Sequence, residues 1–334
     1  MRSLRLGAVA LLCVALPATT AAHDALGRCA PASCAERELS AAAAADRAGA
    51  ADERPAPVAE PGADARAGLF GERWGLGLAP EDRRFDVRPH QPTYVLIARL
   101  SDGENRLPTS PAKPPLAAPL AIQDTESKFQ LSFKVKLADF ERRAGRPLAI
   151  WAAYTQQSHW QVYDVGESRP FRETNYEPEV FVATHPDRVV LGWRWRLAAV
   201  GLNHQSNGRA EPLSRSWNRV LMQLGFERGA VGIIVRPWLR IGEDAAADDN
   251  PDLTRYLGHG DLTVVWAPGA HRFTLGARLH PGSGKGALQG QWSFPLARRV
   301  RGLVQAFSGY GESLIDYNVR QSTIGFGVSL ADAL

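Results

Sequence analysis

From about Tyr94 onward, apolar and polar residues alternate along short segments. Val231, Ile233, Val235, Leu239 and Ile241 fall on one face of a two-residue period, and Gly232, Arg236, Arg240 and Gly242 fall on the other. Phe273, Leu275, Ala277 and Leu279 alternate with Arg272, Thr274, Gly276 and Arg278. The same pattern runs through Leu288–Leu296 and Ile324–Leu330. Successive strand side chains point to opposite faces, so this period predicts two-faced β-strands. Twelve are expected, near 92–100, 128–138, 146–156, 176–184, 189–205, 216–227, 230–242, 254–267, 271–281, 286–297, 299–310 and 321–332. Pro237 falls in mid-strand and calls for a bulge.

The links between these segments differ in length. Arg228-Gly229 and Pro268-Gly269-Ala270 are short, whereas 101–126, 243–253 and 311–319 are long and polar. Alternating short turns and long loops, with an even strand count, suit an outer-membrane barrel. A soluble β-sandwich also alternates. Against it stand the Arg, Gln and Gly residues of the polar face and tryptophans near segment ends (Trp151, Trp160, Trp193, Trp195, Trp217, Trp238, Trp266 and Trp292), which suggest interface girdles. The expected fold is therefore all-β, a twelve-stranded antiparallel transmembrane β-barrel.

Composition changes the picture mainly at the N-terminus. Hydrophobic residues make up 45% of the 334 and charged residues 22%, yet residues 7–16 form the only dense apolar run. That run is too short to cross a bilayer as a helix. With Arg2 and Arg5 before it and Ala18–Ala22 after it, residues 1–22 read as a secretory signal cleaved after Ala22. Residues 23–66 are rich in Ala, Pro and charged residues and read as a flexible exported leader. The barrel domain is expected over 67–334. Outside the signal, Cys29 and Cys34 are the only cysteines; they either form a small-loop disulfide, which an exported compartment allows, or remain two free thiols. The net charge of +4 comes with scattered arginines, which gives nucleic-acid binding no support.

The candidate chemistry lies in Asn203–Arg209 and Ser214–Arg219. His204 and Ser206 are two residues apart and share a strand face. A turn between Arg209 and Ser214 would return Asn218 opposite His204. The three could act as base, nucleophile and orienting amide. Ala198, Val200 and Leu202 share their face, so the group would point toward lipid. With a periplasmic N-terminus the fifth strand runs outward, and His204 falls at its extracellular end. On spacing alone, His-x-Ser fits a hydrogen-bonded strand end as well as a catalytic pair. Gln156 shares a face with Leu148, Ile150, Ala152 and Tyr154, and an amide on such a stripe is costly unless paired, either with a symmetry mate in a second copy or with water near the membrane interface.

The longer strings say more. Asn203–Arg209 and Ser214–Arg219, with Tyr154–Gln156, Ser168–Pro178, Asp249–Asp252 and Ser308–Asn318, resemble the outer membrane phospholipase A family over about residues 67–334. The resemblance implies a twelve-stranded outer-membrane barrel that hydrolyses acyl esters of phospholipids and lysophospholipids, requires Ca2+ and acts as a homodimer. It implies Ser206 as nucleophile, His204 as base, Asn218 as orienter and the Gly208 N–H as oxyanion donor. It also implies calcium held by the carbonyls of Arg209 and Ser214 with the Ser168 hydroxyl of a second subunit, and Gln156 at the dimer interface. Glu211 and Asp249 match a second calcium site, with Glu211 standing where an aspartate is expected. Two other readings keep the fold: a barrel without catalysis, structural or for transport, and a different lipid-modifying barrel such as a lipid A deacylase.

Overall fold

The computed structural model describes residues 63–74, 85, 87–141, 147–166, 168–297 and 300–334. The signal, Cys29, Cys34 and the leader up to residue 62 lie outside the described residues. Helix α1 (Ala63–Trp74) takes its first turn from the last residues of the segment read as leader. It is followed by β1 (Val87–Pro89), β2 (Thr93–Ser101), β3 (Thr125–Glu141), β4 (Pro147–Trp160), β5 (Phe171–Thr184), β6 (Arg188–Val190), β7 (Trp193–Ser206), β8 (Ser216–Arg228) and β9 (Val231–Ile241). A short helix α2 (Thr254–Leu257) precedes β10 (Gly260–Trp266), β11 (Arg272–His280), β12 (Lys285–Ala297), β13 (Val300–Tyr310) and β14 (Arg320–Ala331).

Twelve of these strands close into an antiparallel barrel. Each pairs with the next, β5 pairs with β7, and β14 pairs back onto β2. The three-residue β1 and β6 add to β3 and β7 without entering the ring. Closure removes the unpaired edges that no membrane-spanning sheet can leave in lipid.

The alternating pattern has the orientation expected. Leu239, Ile241, Leu275, Leu279, Leu288, Leu296, Ile324, Phe326 and Leu330 face outward and stay exposed on the single chain. Such an outer apolar band is what lipid covers.

Four details differ from the sequence reading. Residues 254–257 are helical, so the strand expected over 254–267 begins at Gly260. The 189–205 segment is divided at Leu191 and Gly192, both in left-handed conformation. Pro237 needs no bulge: β8 and β9 keep one register on both sides of it, and the ladder omits the rungs at Arg236 and Pro237. Trp151, Trp217 and Trp238 point inward and are buried, whereas Trp266 and Trp292 remain on the outer face.

The interior is filled in layers. At the short-turn end, Phe70 and Trp74 of α1 join Trp151, Phe181, Leu197, Ile234, Val265 and Leu334 in an apolar cluster. Gly232 makes room for it, since a Cβ there would lie 2.4 Å from the Leu334 Cδ1. Nearer the long-loop end, buried charges pair with one another. Arg99 meets Glu104, Glu126 and Glu312; Arg172 meets Glu126 and Asp316; Lys128 meets Glu312. Charges taken from water persist only with such partners.

Candidate active site

The turn between β7 and β8 brings His204 and Asn218 together, with Ser206 two residues from His204 on the same strand. Ser206 pairs with Ser216, so His204 falls opposite Asn218. The His204 Nδ1 and Asn218 Oδ1 are 2.8 Å apart. That bond commits Nδ1 to the amide and leaves Nε2 as the ring nitrogen available to chemistry. Val200 and Leu202, on the same face, are 50% and 59% exposed, while Asn203, between Leu202 and His204, is 3% exposed. His204, Ser206 and Asn218 therefore stand on the outer, lipid-facing wall near the long-loop end.

The inner face fixes this wall. Trp217, buried between Ser216 and Asn218, donates its Nε1–H to the Gln205 Oε1 across the strand pair, 2.9 Å. Arg219 donates to Asn203 at 2.7 Å and to Glu177 at 2.6 Å, and its guanidinium lies 4.0 Å from the Trp217 ring centroid. Trp217 also packs with Leu221, Trp238, Leu253, Leu257, Leu314 and Tyr317. Burying one large apolar side chain contributes about 1.5–3 kcal/mol. A rigid inner face leaves the outer side chains little freedom to drift, which is the pre-organisation a reacting group requires.

Residues 207–215 form the loop at the top of this wall. Gly208 has φ +63°, the left-handed region where a side chain costs most, and a Cβ there would lie 3.2 Å from the Tyr176 ring. Asn207, given no role by the sequence reading, holds the loop together. Its Oδ1 accepts the amides of Arg209 (3.3 Å) and Arg215 (2.9 Å), and its Nδ2 donates to the Leu213 carbonyl (2.8 Å) and to Glu173 (3.4 Å). Glu173 in turn accepts the amide of Ile315, and the amide of Leu314 is taken by Asn175. The Ser168–Pro178 and Ser308–Asn318 strings thus interlock beneath the loop. The asparagine-rich motif offered the only hint of this in the sequence.

The shared calcium set is oxygen-rich as a hard cation needs. The Arg209 carbonyl accepts no hydrogen bond among the described residues. The Ser214 carbonyl accepts one, from Arg215 at 2.7 Å, which leaves a second lone pair. Both carbonyls thus keep a lone pair of the kind a hard cation takes. Ser168 lies in the 161–170 loop, exposed, with φ +59° and its amide on the Val165 carbonyl.

Glu211 and Asp249 are brought together, but around a cation of the chain's own. Lys113, from the 102–124 loop, places its Nζ 2.5 Å from Glu211 and 2.6 Å from Asp249. Hydrogen bonds to Asp249 and then Glu211 push the Lys113 ammonium above its usual range. Burial pushes the Asp249 carboxyl up, but hydrogen bonds from Lys113 and Ser214 outweigh it and hold the group below its ordinary value. As the residues stand, a second metal does not fit there without displacing the ammonium.

Gln156 lies on the outer face, yet it is not unpaired in the single chain. It accepts from the Tyr154 hydroxyl at 3.1 Å and donates to Ser158 at 3.2 Å. Local bonding within one strand meets part of the need that a second copy was expected to meet. One N–H and one lone pair of the amide remain.

Comparison with known proteins gives the same picture. The model of the Phospholipase A1 family matches residues 71–330. A putative phospholipase A1 of Neisseria meningitidis is 38% identical over 255 residues, which covers 74% of this chain and 65% of that protein. Phospholipase A1 of Escherichia coli K12 is also 38% identical, covering 76% of this chain and 85% of the relative. Among solved structures, the E. coli outer membrane phospholipase A aligns over 74% of this chain and 95% of its own, with 35% identity and a TM-score of 0.67. A Salmonella typhi outer membrane phospholipase, described as a dimer with bound calcium, aligns over 75% of this chain and 94% of its own, with 36% identity and a TM-score of 0.68. With its closed twelve-stranded barrel, this chain belongs to the phospholipase A1 family of outer-membrane β-barrel enzymes.

Proposed function

We propose that this chain is a calcium-dependent phospholipase that cleaves the sn-1 and sn-2 acyl esters of phospholipids and lysophospholipids at the extracellular side of the outer membrane, as a homodimer. One observation carries the reading: the His204–Asn218 pair at 2.8 Å, with Ser206 two residues along on the same lipid-facing wall.

The chemistry follows from that placement. Ser206 is a poor nucleophile until His204 removes its proton through Nε2. The serine oxygen then attacks the ester carbonyl, and His204 returns the proton to the departing lysophospholipid alkoxide. Asn218 accepts the Nδ1–H, which fixes the tautomer in which Nε2 is the base. The Gly208 N–H donates to the developing oxyanion. Water, deprotonated by His204, releases the fatty acid from Ser206.

Calcium, when bound, adds positive charge beside that oxyanion. The Arg209 and Ser214 carbonyls would hold it, with Ser168 of a second subunit completing the shell. A further calcium at Glu211 and Asp249 would have to exchange with Lys113. The dimer would bury the outer face around Gln156, whose remaining N–H and lone pair can meet their symmetry mates. The Salmonella relative's calcium-bound dimer supports this assembly.

The test is product analysis. Purified protein is incubated with mixed phospholipids and lipid A, with calcium or chelator, and the products are identified by mass spectrometry. Free fatty acid and lysophospholipid, formed only with calcium and abolished by Ser206→Ala in a barrel that still folds, are expected. Deacylated lipid A alone, or no product, would overturn the reading.

A further inference from the structure

We infer that Glu243 is a positioning residue for His204, acting through Asn218, so that the working unit is Ser206–His204–Asn218–Glu243. This rests on the assignment of Ser206 and His204 above.

Asn218 has partners at both ends of its amide. Its Oδ1 meets the His204 Nδ1 at 2.8 Å, and its Nδ2 donates to the Glu243 Oε1 at 2.8 Å. Asn218 sits opposite Ile241, the last residue of β9. Glu243 is two residues further and half-buried, where the chain leaves the wall. The strand pairing itself delivers the carboxylate to the amide.

The need for such a partner lies in the amide. Oxygen and nitrogen ends are nearly the same size, so a lone asparagine can present either to a histidine. With the NH2 end turned to Nδ1, the neutral ring would carry its proton on Nε2, and Nε2 could no longer take a proton from Ser206. An ionised carboxylate only accepts hydrogen bonds. It takes the Nδ2–H and repels the Oδ1, so Glu243 selects the one amide orientation that supports catalysis.

Charge adds to orientation. A charge-assisted bond on the Nδ2 side polarises the amide and makes the Oδ1 a stronger acceptor. It also places a negative charge one amide away from the imidazolium that forms in the transition state. A triad aspartate supplies that charge by direct contact; here it would be supplied at one remove. The sequence reading took Asn218 as an orienting amide and gave it no charged partner. Glu243, 25 residues later in a polar loop, carries no signal in the sequence that would connect it to Asn218.

The test compares Glu243→Ala, Glu243→Gln and Glu243→Asp, alone and combined with Asn218→Ala. Hydrolysis of a phospholipid in mixed micelles is followed at saturating calcium, with kcat and KM separated. Glu243→Ala should lower kcat roughly ten-fold with KM unchanged, the low end of what removing the outer partner of a metal-bound histidine costs. Glu243→Gln keeps an acceptor without the charge and should fall between Ala and wild type. Glu243→Asp should recover activity in part. In the Asn218→Ala background, removing Glu243 should cost nothing further, because its route to His204 is already cut. The calcium midpoint should stay fixed.

An undiminished kcat in Glu243→Ala would overturn the inference. So would an equal loss with and without Asn218, or a shifted calcium midpoint, since either would mark a role in loop structure alone. If Asn218→Ala itself were fully active, the triad assignment would fail and this inference with it. A damaging Asn218→Ala beside a harmless Glu243→Ala would sink the inference only.

Discussion

At the scale of single residues, the account separates a nucleophile from the groups that prepare it. Ser206→Ala removes the atom that bonds to the acyl group, so turnover should fall by several orders of magnitude while the barrel remains folded. Asn218→Ala leaves serine and histidine in place. Its kcat should fall by less than the roughly 10²–10⁴-fold that general-base catalysis supplies. Steady-state kinetics on detergent-solubilised protein would check both. Equal losses in the two variants would mean that Asn218 is more than an orienter, and wild-type turnover in Ser206→Ala would remove the nucleophile. The pairing of positions 204 and 218 was legible because strand alternation and a turn between Arg209 and Ser214 are enough to set it, whereas the catalytic roles came from the family resemblance. Asn207 and Glu243 were not legible. Their roles depend on where loop side chains return, and no period governs that.

At the scale of elements, the strands followed the sequence and the loops did not. Alternation located the barrel wall even where the inner residues were tryptophans, though it misplaced Trp151, Trp217 and Trp238 in an interface girdle. An aromatic near a strand end packs inward or outward according to its parity, and parity counts more than position. Residues 254–257 were expected in a strand, yet they form α2, and Leu253 and Leu257 pack with Trp217 on the inner side of the site. The 102–124 loop has the largest consequence. It carries Lys113 into the acids that were expected to share a metal. A tethered ammonium there would brace the 207–215 loop without calcium. Lys113→Met should therefore uncover a calcium-binding event in the monomer that wild type lacks or shows more weakly. Calorimetric titration of the monomeric protein is the check. Identical isotherms would mean that Lys113 does not compete with metal.

At the scale of the whole molecule, a lipid-facing active site raises the question of restraint. His204 and Ser206 stand on the outer wall, which faces lipid. On the proposed reading, control would come from completing the site. The proposed completion is a second copy, which brings Ser168 to the Arg209 and Ser214 carbonyls. Calcium binding and dimer formation are then one linked equilibrium, so each must strengthen the other. Calcium should tighten the dimer, a chelator should favour monomer and remove activity, and Ser168→Ala should weaken both effects. Crosslinking yield against calcium concentration measures the linkage. A dimer indifferent to calcium would break it.

The most direct test of this composite site mixes two impaired proteins. Ser168→Ala subunits keep Ser206 but cannot complete a partner's calcium site. Ser206→Ala subunits keep Ser168 but cannot attack the ester. In the heterodimer, the subunit with intact Ser206 receives Ser168 from its partner, and one complete site forms. Activity of the mixture should return in part, in proportion to the heterodimer present, and should remain dependent on calcium. Heterodimers demonstrated by crosslinking but still without activity would contradict a site shared between subunits.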